Sequence, residues 1–242
     1  MEFIIAESTE DMSRQAADRI ASFVEADPSC VLGLATGTTP IGLYACLVED
    51  CAAGKISFAD VTTFNLDEYR GLNPEHDQSY RYFMQQNLFD HVDVDVARTH
   101  VPDGANPDAE AACAAYEEAI AQADGIDLQL LGLGHNGHIG FNEPCDHFPV
   151  DTHVVELTES TIQANSRLFD SVDEVPREAY TMGIGTIMRA RRILVVASGE
   201  DKAQIVHDAF FGPVTPQVPA SVLQLHPDVT VIVDAKAGAL CA

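Results

Sequence analysis

A histidine and a glutamate five residues apart, His138 and Glu143, lie in the glycine-dense stretch 130–144, LLGLGHNGHIGFNEP. An imidazole titrates near neutrality and a carboxylate can orient it, so the pair suits proton transfer at physiological pH. Gly132, Gly134 and Gly137 let the backbone turn sharply and come close to a ligand, with His135 and Asn136 among them. The plainer alternative is a hydrogen-bonded loop histidine beside a solvated acid. The glycine density favours a functional site. A second candidate is Thr36-Gly37-Thr38-Thr39-Pro40. Its hydroxyls, its exposed amides and the start of a helix suit a phosphate group. It lacks the GK[ST] ending of a nucleotide loop, and a well-capped helix start explains it equally. A third is Asp67-Glu68, where adjacent carboxylates serve either as general bases or as the cap of the next turn. Position alone favours the cap.

Each candidate follows an apolar run. Residues 31–35 (VLGLA) precede the threonine loop, 61–64 precede Asp67, and 126–133 precede the histidine loop. Runs of this length bounded by glycine suit buried parallel strands, and an open α/β sheet binds ligands just beyond its strands' carboxyl ends. Further strands are expected at 3–6, 153–157, 180–185, 193–197 and 229–233. The first helix is capped by Ser8 or Thr9, with Met12, Ala16, Ile20 and Phe23 at helical spacing. The next begins with Pro40 at its first position and carries Ile41, Tyr44, Leu47 and Val48 on one face. Helices follow at 79–89, 108–123 and 203–211, with helical or coiled chain at 160–169. A further helix ends in Arg189, Arg191 and Arg192. Strands alternating with helices predict an α/β fold with a mostly parallel sheet covered on both faces.

The 242 residues fit one large domain, and 46% hydrophobic with 21% charged residues is ordinary for a globular enzyme. The charge balance is not ordinary: 38 acidic against 13 basic residues give a net charge of −25. Nucleic acid and anionic membrane surfaces are thereby excluded as partners. An anionic small molecule can bind only where the few cations and helix N-termini are focused. The six cysteines show no CxxC or zinc-type spacing and read as reduced thiols of a cytoplasmic protein without signal peptide or membrane span.

Taken together and in order, LATGTTP, TTFNLDEY, GHNGHIGFNEP, ANSRLF and TMGIGTIM resemble the signature stretches of the glucosamine-6-phosphate deaminase (isomerase) family. The likeness runs from about Phe3 to Val233. GHIGFNEP is the most specific part, since the related 6-phosphogluconolactonases share its GHxA-type core without FNEP. The resemblance implies a Rossmann-like three-layer sandwich with a mostly parallel central sheet, as one domain over 1–242. It implies conversion of glucosamine 6-phosphate and water to fructose 6-phosphate and ammonia, formally a C–N hydrolysis, with no metal and no organic cofactor. Asp67 would move a proton between C2 and C1. His138 would assist ring opening, supported by Asn136 and Glu143. The phosphate would lie against Thr36, Gly37, Thr38 and Thr39, with Arg167 and Lys202 as charged partners.

Many members carry Asp where this chain has Asn136, so Glu143 is expected to be the only charged partner of His138. Cys145 stands where a small residue is usual. Allosteric hexameric members bind N-acetylglucosamine 6-phosphate through a closely spaced Arg and Lys. The matching positions here hold His153 and Val155, and no C-terminal extension follows the last strand, so a monomer without activation is expected. Two rivals stand beside the deaminase: a lactonase, opposed by FNLDEY and FNEP, and a sugar-phosphate sensor. The sensor is opposed by the net charge and by a first strand that begins at Phe3, leaving no room for a DNA-binding helix-turn-helix.

Overall fold

The computed structural model describes residues 1–158, 162, 169, 171 and 174–241. The stretch 160–169, including Arg167, lies outside these residues except for Ile162 and Phe169. Among the described residues the chain runs β1 (Glu2–Ala6), α1 (Thr9–Ala26), β2 (Val31–Leu34), α2 (Ile41–Ala52), β3 (Thr62–Asn65), β4 (Asp67–Tyr69), α3 (Tyr80–Asn87), β5 (Thr99–His100), α4 (Ala109–Gln122), β6 (Leu128–Leu131), β7 (His153–Glu156), β8 (Glu178–Thr181), α5 (Ile184–Met188), β9 (Arg192–Ala197), α6 (Ala203–Phe211) and β10 (Val229–Asp234).

A seven-stranded sheet has the order β1-β10-β9-β6-β2-β3-β5, with parallel neighbours throughout. Its inner strands are the apolar runs of the sequence; every residue of β2 and β6 is buried. Helices flank the sheet, and α1 packs on α2 and against β1, β9 and β10. Ser8 caps α1, its side chain accepting from Asp11 N at 3.1 Å, and Asp108 caps α4 through Ala111 N at 3.0 Å.

The helical faces differ from expectation in detail. Val24 completes the buried row Met12, Ala16, Ile20, while Phe23 is only partly buried. Pro40 is the N-cap residue of α2, one position before the helix, and Ile41 is 41% exposed while Leu43 joins Tyr44 and Leu47 inside. Helix α5 ends at Met188, so only Arg189 stands at its terminus. Arg191 pairs with Asp124 and Asp127, and Arg192 opens β9.

Strands expected at 153–157 and 180–185 do not join the parallel sheet. As β7 and β8 they form a separate antiparallel sheet with β4, in the order β4-β8-β7. Asp67 lies opposite Thr181 across that ladder. The chain leaves β2 toward β3 and β5, and leaves β6 in the other direction toward β9 and β10. The order therefore reverses between β2 and β6, which places a crevice at their carboxyl ends.

Candidate active site

Beyond β6 the glycine loop folds back on itself: Gly134 N donates to His138 O at 2.9 Å and Gly137 N to Gly134 O at 3.0 Å. The His138 ring lies directly against the backbone of Gly134. A Cβ there would sit 2.3 Å from the ring, so only glycine allows this approach. Nδ1 of His138 is 3.5 Å from Glu143 Oε1. This is ion-pair contact, longer than a formed hydrogen bond. Asn136 Nδ2 donates to Glu143 Oε2 at 2.5 Å, and Asn136 Oδ1 accepts from His138 N at 3.2 Å. The structure thus brings Asn136, His138 and Glu143 together, with the neutral amide bracing the carboxylate that faces the imidazole.

The other end of the loop is pinned to β8. Phe141 N donates to Thr181 Oγ1 at 2.9 Å, and Asn142 Nδ2 donates to Ile139 O at 2.8 Å and Met182 O at 2.9 Å. The TMGIG stretch is singled out in the sequence without a physical role, and these bonds supply one. A Cβ built on Gly140 would lie 2.8 Å from Thr181 Oγ1, 3.5 Å from Asn142 Nδ2 and 3.6 Å from Asp67 Oδ2. The histidine loop and Asp67 therefore converge on one place.

Asp67 is 6% exposed. Burial, reinforced by the charge of Glu68, pushes its carboxyl up to about 8. The two adjacent acids divide the roles that the sequence left open. Glu68 does cap, accepting from Tyr80 N and Arg81 N, each at 2.9 Å, at the start of α3. Asp67 caps nothing, and its buried carboxyl with a raised pKa is suited to proton transfer.

The threonine loop follows β2. Gly37 has φ +101°, a left-handed conformation natural to glycine, and its surroundings are open. Gly37 and Thr38 are exposed, Thr36 and Thr39 half-buried. No side chain caps α2, so the well-capped helix start does not describe this junction. Ile41 N donates to Thr38 O at 3.4 Å, and the N-terminal end of the helix favours an anion. Lys202, after β9, donates from Nζ to Leu133 O at 2.7 Å and thus reaches the end of β6. Burial lowers its pKa, with nearby Asp201 acting in the opposite sense. Asp201 in turn meets His135 Nε2 at 2.5 Å, a second tie between the β6 and β9 loops that the sequence did not reveal. Among the described residues no three His, Cys, Asp or Glu side chains are grouped to hold a metal ion, and no helix is long and apolar enough to cross a membrane.

A parallel sheet with a histidine–carboxylate loop beyond β6, and a buried acid close to that loop, has the layout of an α/β enzyme. The chain belongs to the family described as glucosamine-6-phosphate isomerases/6-phosphogluconolactonase, which it matches over residues 6–232. A glucosamine-6-phosphate deaminase of Halothermothrix orenii is 55% identical over 240 residues, covering 99% of this chain and 100% of that protein. The solved structure of a monomeric glucosamine-6-phosphate deaminase matches with a TM-score of 0.96 and 44% identity, over 99% of this chain and 100% of the other. A 6-phosphogluconolactonase from Trypanosoma brucei shares the fold at TM-score 0.78 and 20% identity, over 100% of this chain and 98% of the other. By identity across the whole chain it falls on the deaminase side of the family. Isomerising deaminase replaces hydrolase as the class of reaction.

The raised carboxyl of Asp67 has a consequence for stability. An unfolded-state aspartate titrates at about 4, whereas Asp67 in the fold titrates at about 8. With the folded value the higher one, the contribution to stability is fully present below about pH 4 and is lost as pH rises toward about 8. Asp67→Asn removes that loss. In thermal melts the variant's midpoint will exceed that of the wild type by a margin that widens from about pH 4 to about pH 8. Parallel midpoints over that window would mean that Asp67 is ionised and compensated in the fold.

Proposed function

We propose that this protein catalyses the isomerising deamination of glucosamine 6-phosphate to fructose 6-phosphate and ammonia. The observation that carries the reading is the convergence of the buried Asp67 carboxyl and the Asn136–His138–Glu143 loop at one strand-end crevice, in a chain 55% identical to a deaminase. His138 moves a proton from the C1 hydroxyl to the ring oxygen, which opens the pyranose, and Glu143 stabilises the imidazolium formed on the way. Asp67 takes the proton from C2 and returns it to C1. The resulting C2 iminium adds water and expels ammonia, so one water is consumed for each ammonia released. A ligand-free pKa of about 8 leaves Asp67 partly protonated at neutrality, and the cationic amine of the substrate beside it favours the ionised base.

The phosphate lies against Thr36, Gly37, Thr38 and Thr39, with Lys202 and Arg167 as its cations. This is supported by the uncapped start of α2 and by Lys202 reaching the end of β6. Its binding energy holds the reacting end in register. The enzyme acts as a monomer in the cytoplasm without organic cofactor or metal. The six free thiols and the likeness to a monomeric deaminase support the first two of these. An effector phosphate would find His153 and Val155 in place of a permanent cation pair.

Ammonia release from glucosamine 6-phosphate by the purified protein tests the whole reading. Asp67→Asn abolishes both ammonia release and exchange of the C2 proton with deuterated solvent, while substrate binding persists. Wild-type exchange in that variant would move the base elsewhere. Lys202→Ala raises KM far more than it lowers kcat, since the interaction lost is uniform binding. Unchanged kinetics at low ionic strength would make Lys202 a bystander. The saturation curve of the wild type is hyperbolic and indifferent to N-acetylglucosamine 6-phosphate; sigmoidal kinetics relieved by that compound would refute the unregulated monomer.

A further inference from the structure

Asp67 and Glu68 are neighbours in a three-residue strand, and strand alternation turns them to opposite faces. Their surroundings differ as much as their directions. What raises Asp67 is burial first and then the charge of Glu68, with no hydrogen bond opposing either. The Glu68 carboxylate accepts backbone N–H groups of Tyr69 at 2.8 Å, Tyr80 at 2.9 Å and Arg81 at 2.9 Å. Two of these amides open α3, where the helix dipole also favours an anion. Gly104 closes over the same carboxylate's stem: a Cβ there would lie 3.0 Å from Glu68 Cγ and 2.3 Å from Tyr69 O. On its far side Glu68 borders a cavity of about 270 Å³ that it shares with Arg81, His100 and Asp103.

We propose that Glu68 is the positioning residue of Asp67: it staples β4 to the N-terminus of α3, fixes the direction in which the neighbouring carboxylate projects, and holds a negative charge one residue away from it. The proposal rests on Asp67 being the base. Burial raises the Glu68 carboxyl too, while its three backbone N–H donors and the Arg81 cation act in the opposite sense and favour its charged form. Tyr69 from β4, Tyr80 from α3 and Tyr116 from α4 are all raised by burial and stay neutral. His100 from β5 is lowered by burial and then by Arg81, and is uncharged near neutrality. Arg81 remains a cation on the cavity side, and the Tyr180 hydroxyl from β8 donates to Asn106 O at 2.8 Å.

Two substitutions separate charge from geometry. Glu68→Gln keeps the shape and removes the charge. The acid limb of its kcat/KM profile moves to lower pH by about half a unit or more, and kcat falls about tenfold with little change in KM. Glu68→Asp keeps the charge but withdraws it from the α3 amides, so kcat falls while the limb stays in place. A Glu68→Gln enzyme with an unmoved limb and kcat within about twofold of wild type overturns the proposal. Should both variants fail to fold, infrared titration of the ligand-free wild type decides. One carboxylic-acid carbonyl signal is lost around pH 8 and is missing from Asp67→Asn. Its persistence in Asp67→Asn would assign the raised carboxyl to Glu68 and overturn the proposal. An active Asp67→Asn would overturn the base assignment itself. An inactive one beside a Glu68→Gln enzyme with an unmoved limb and near-wild-type kcat would overturn the positioning role alone.

Discussion

Two parallel strands that hydrogen-bond to each other while their chains depart in opposite directions cannot share a covering loop. β2 and β6 are in that position, and the rest of the molecule is arranged around the gap they leave. The β2 chain turns toward β3 and delivers the threonine loop. The β6 chain turns toward β9 and delivers the histidine loop. Gly33 in β2 lets the Gln129 side chain of β6 cross over it, since a Cβ at that position would lie 2.0 Å from Gln129 Oε1. The pairing is thus tight where the loops above it diverge. The small antiparallel sheet adds the third component. It holds Asp67 at its edge and pins the far end of the histidine loop through Thr181 and Met182.

The charge of the chain sharpens the question of how a sugar phosphate is held. With a net charge of −25, the protein's long-range field opposes a phosphate dianion. Attraction must come from short-range groups in a partly desolvated place, where Coulomb energy falls less with the solvent dielectric. Lys202, the cation proposed for that place, is half-buried and its ammonium is directed to the Leu133 carbonyl just past β6. Most other cations are engaged on the surface, as Arg14 is with Asp18 and Asp50 and Arg189 with Glu117 and Asp151.

The central sheet was legible because its strands are buried on both faces and so read as continuous apolar runs, whatever the rest of the chain does. The antiparallel sheet was not. β4 is three residues long and separated from β3 only by Leu66, so the string FNLDEY carries no alternation from which a second strand can be read. For the same reason the division of labour between Asp67 and Glu68 was hidden. It depends on which face of β4 each residue takes, and one residue of slip would exchange them. The histidine loop was visible through its glycines, yet one reason for Gly134 is the ring of His138, four residues on, packed against its backbone. The ion pair of His135 with Asp201 joins residues 66 positions apart, and no local pattern signals such a contact.

The polar groups that lack hydrogen-bond partners within the fold are not scattered. Among the described residues, Oγ1 of Thr63 and both side-chain polar atoms of Asn65 in β3, Oε1 of Gln129 in β6, and Nδ1 of His138 and Oδ1 of Asn142 in the loop beyond β6 are buried without a hydrogen bond, and Asp67 is buried next to β3. Each is a cost, since a buried polar atom without a partner forfeits its hydration. Local physics and global fold agree elsewhere in this chain: apolar strands are central, Ser8, Ser79 and Asp108 cap α1, α3 and α4, and surface arginines such as Arg14 and Arg189 are paired. They conflict at the carboxyl ends of β3 and β6, where the sheet would be more stable with apolar side chains. Such conflict persists only where the groups do something that an apolar side chain cannot. A carboxyl that is costly to ionise in the empty site becomes cheap to ionise when a cationic amine arrives. On the proposed reading, the burial that makes the ionised Asp67 costly in the ligand-free fold keeps its carboxylate a stronger base than a solvated aspartate, and the arriving amine offsets part of that cost.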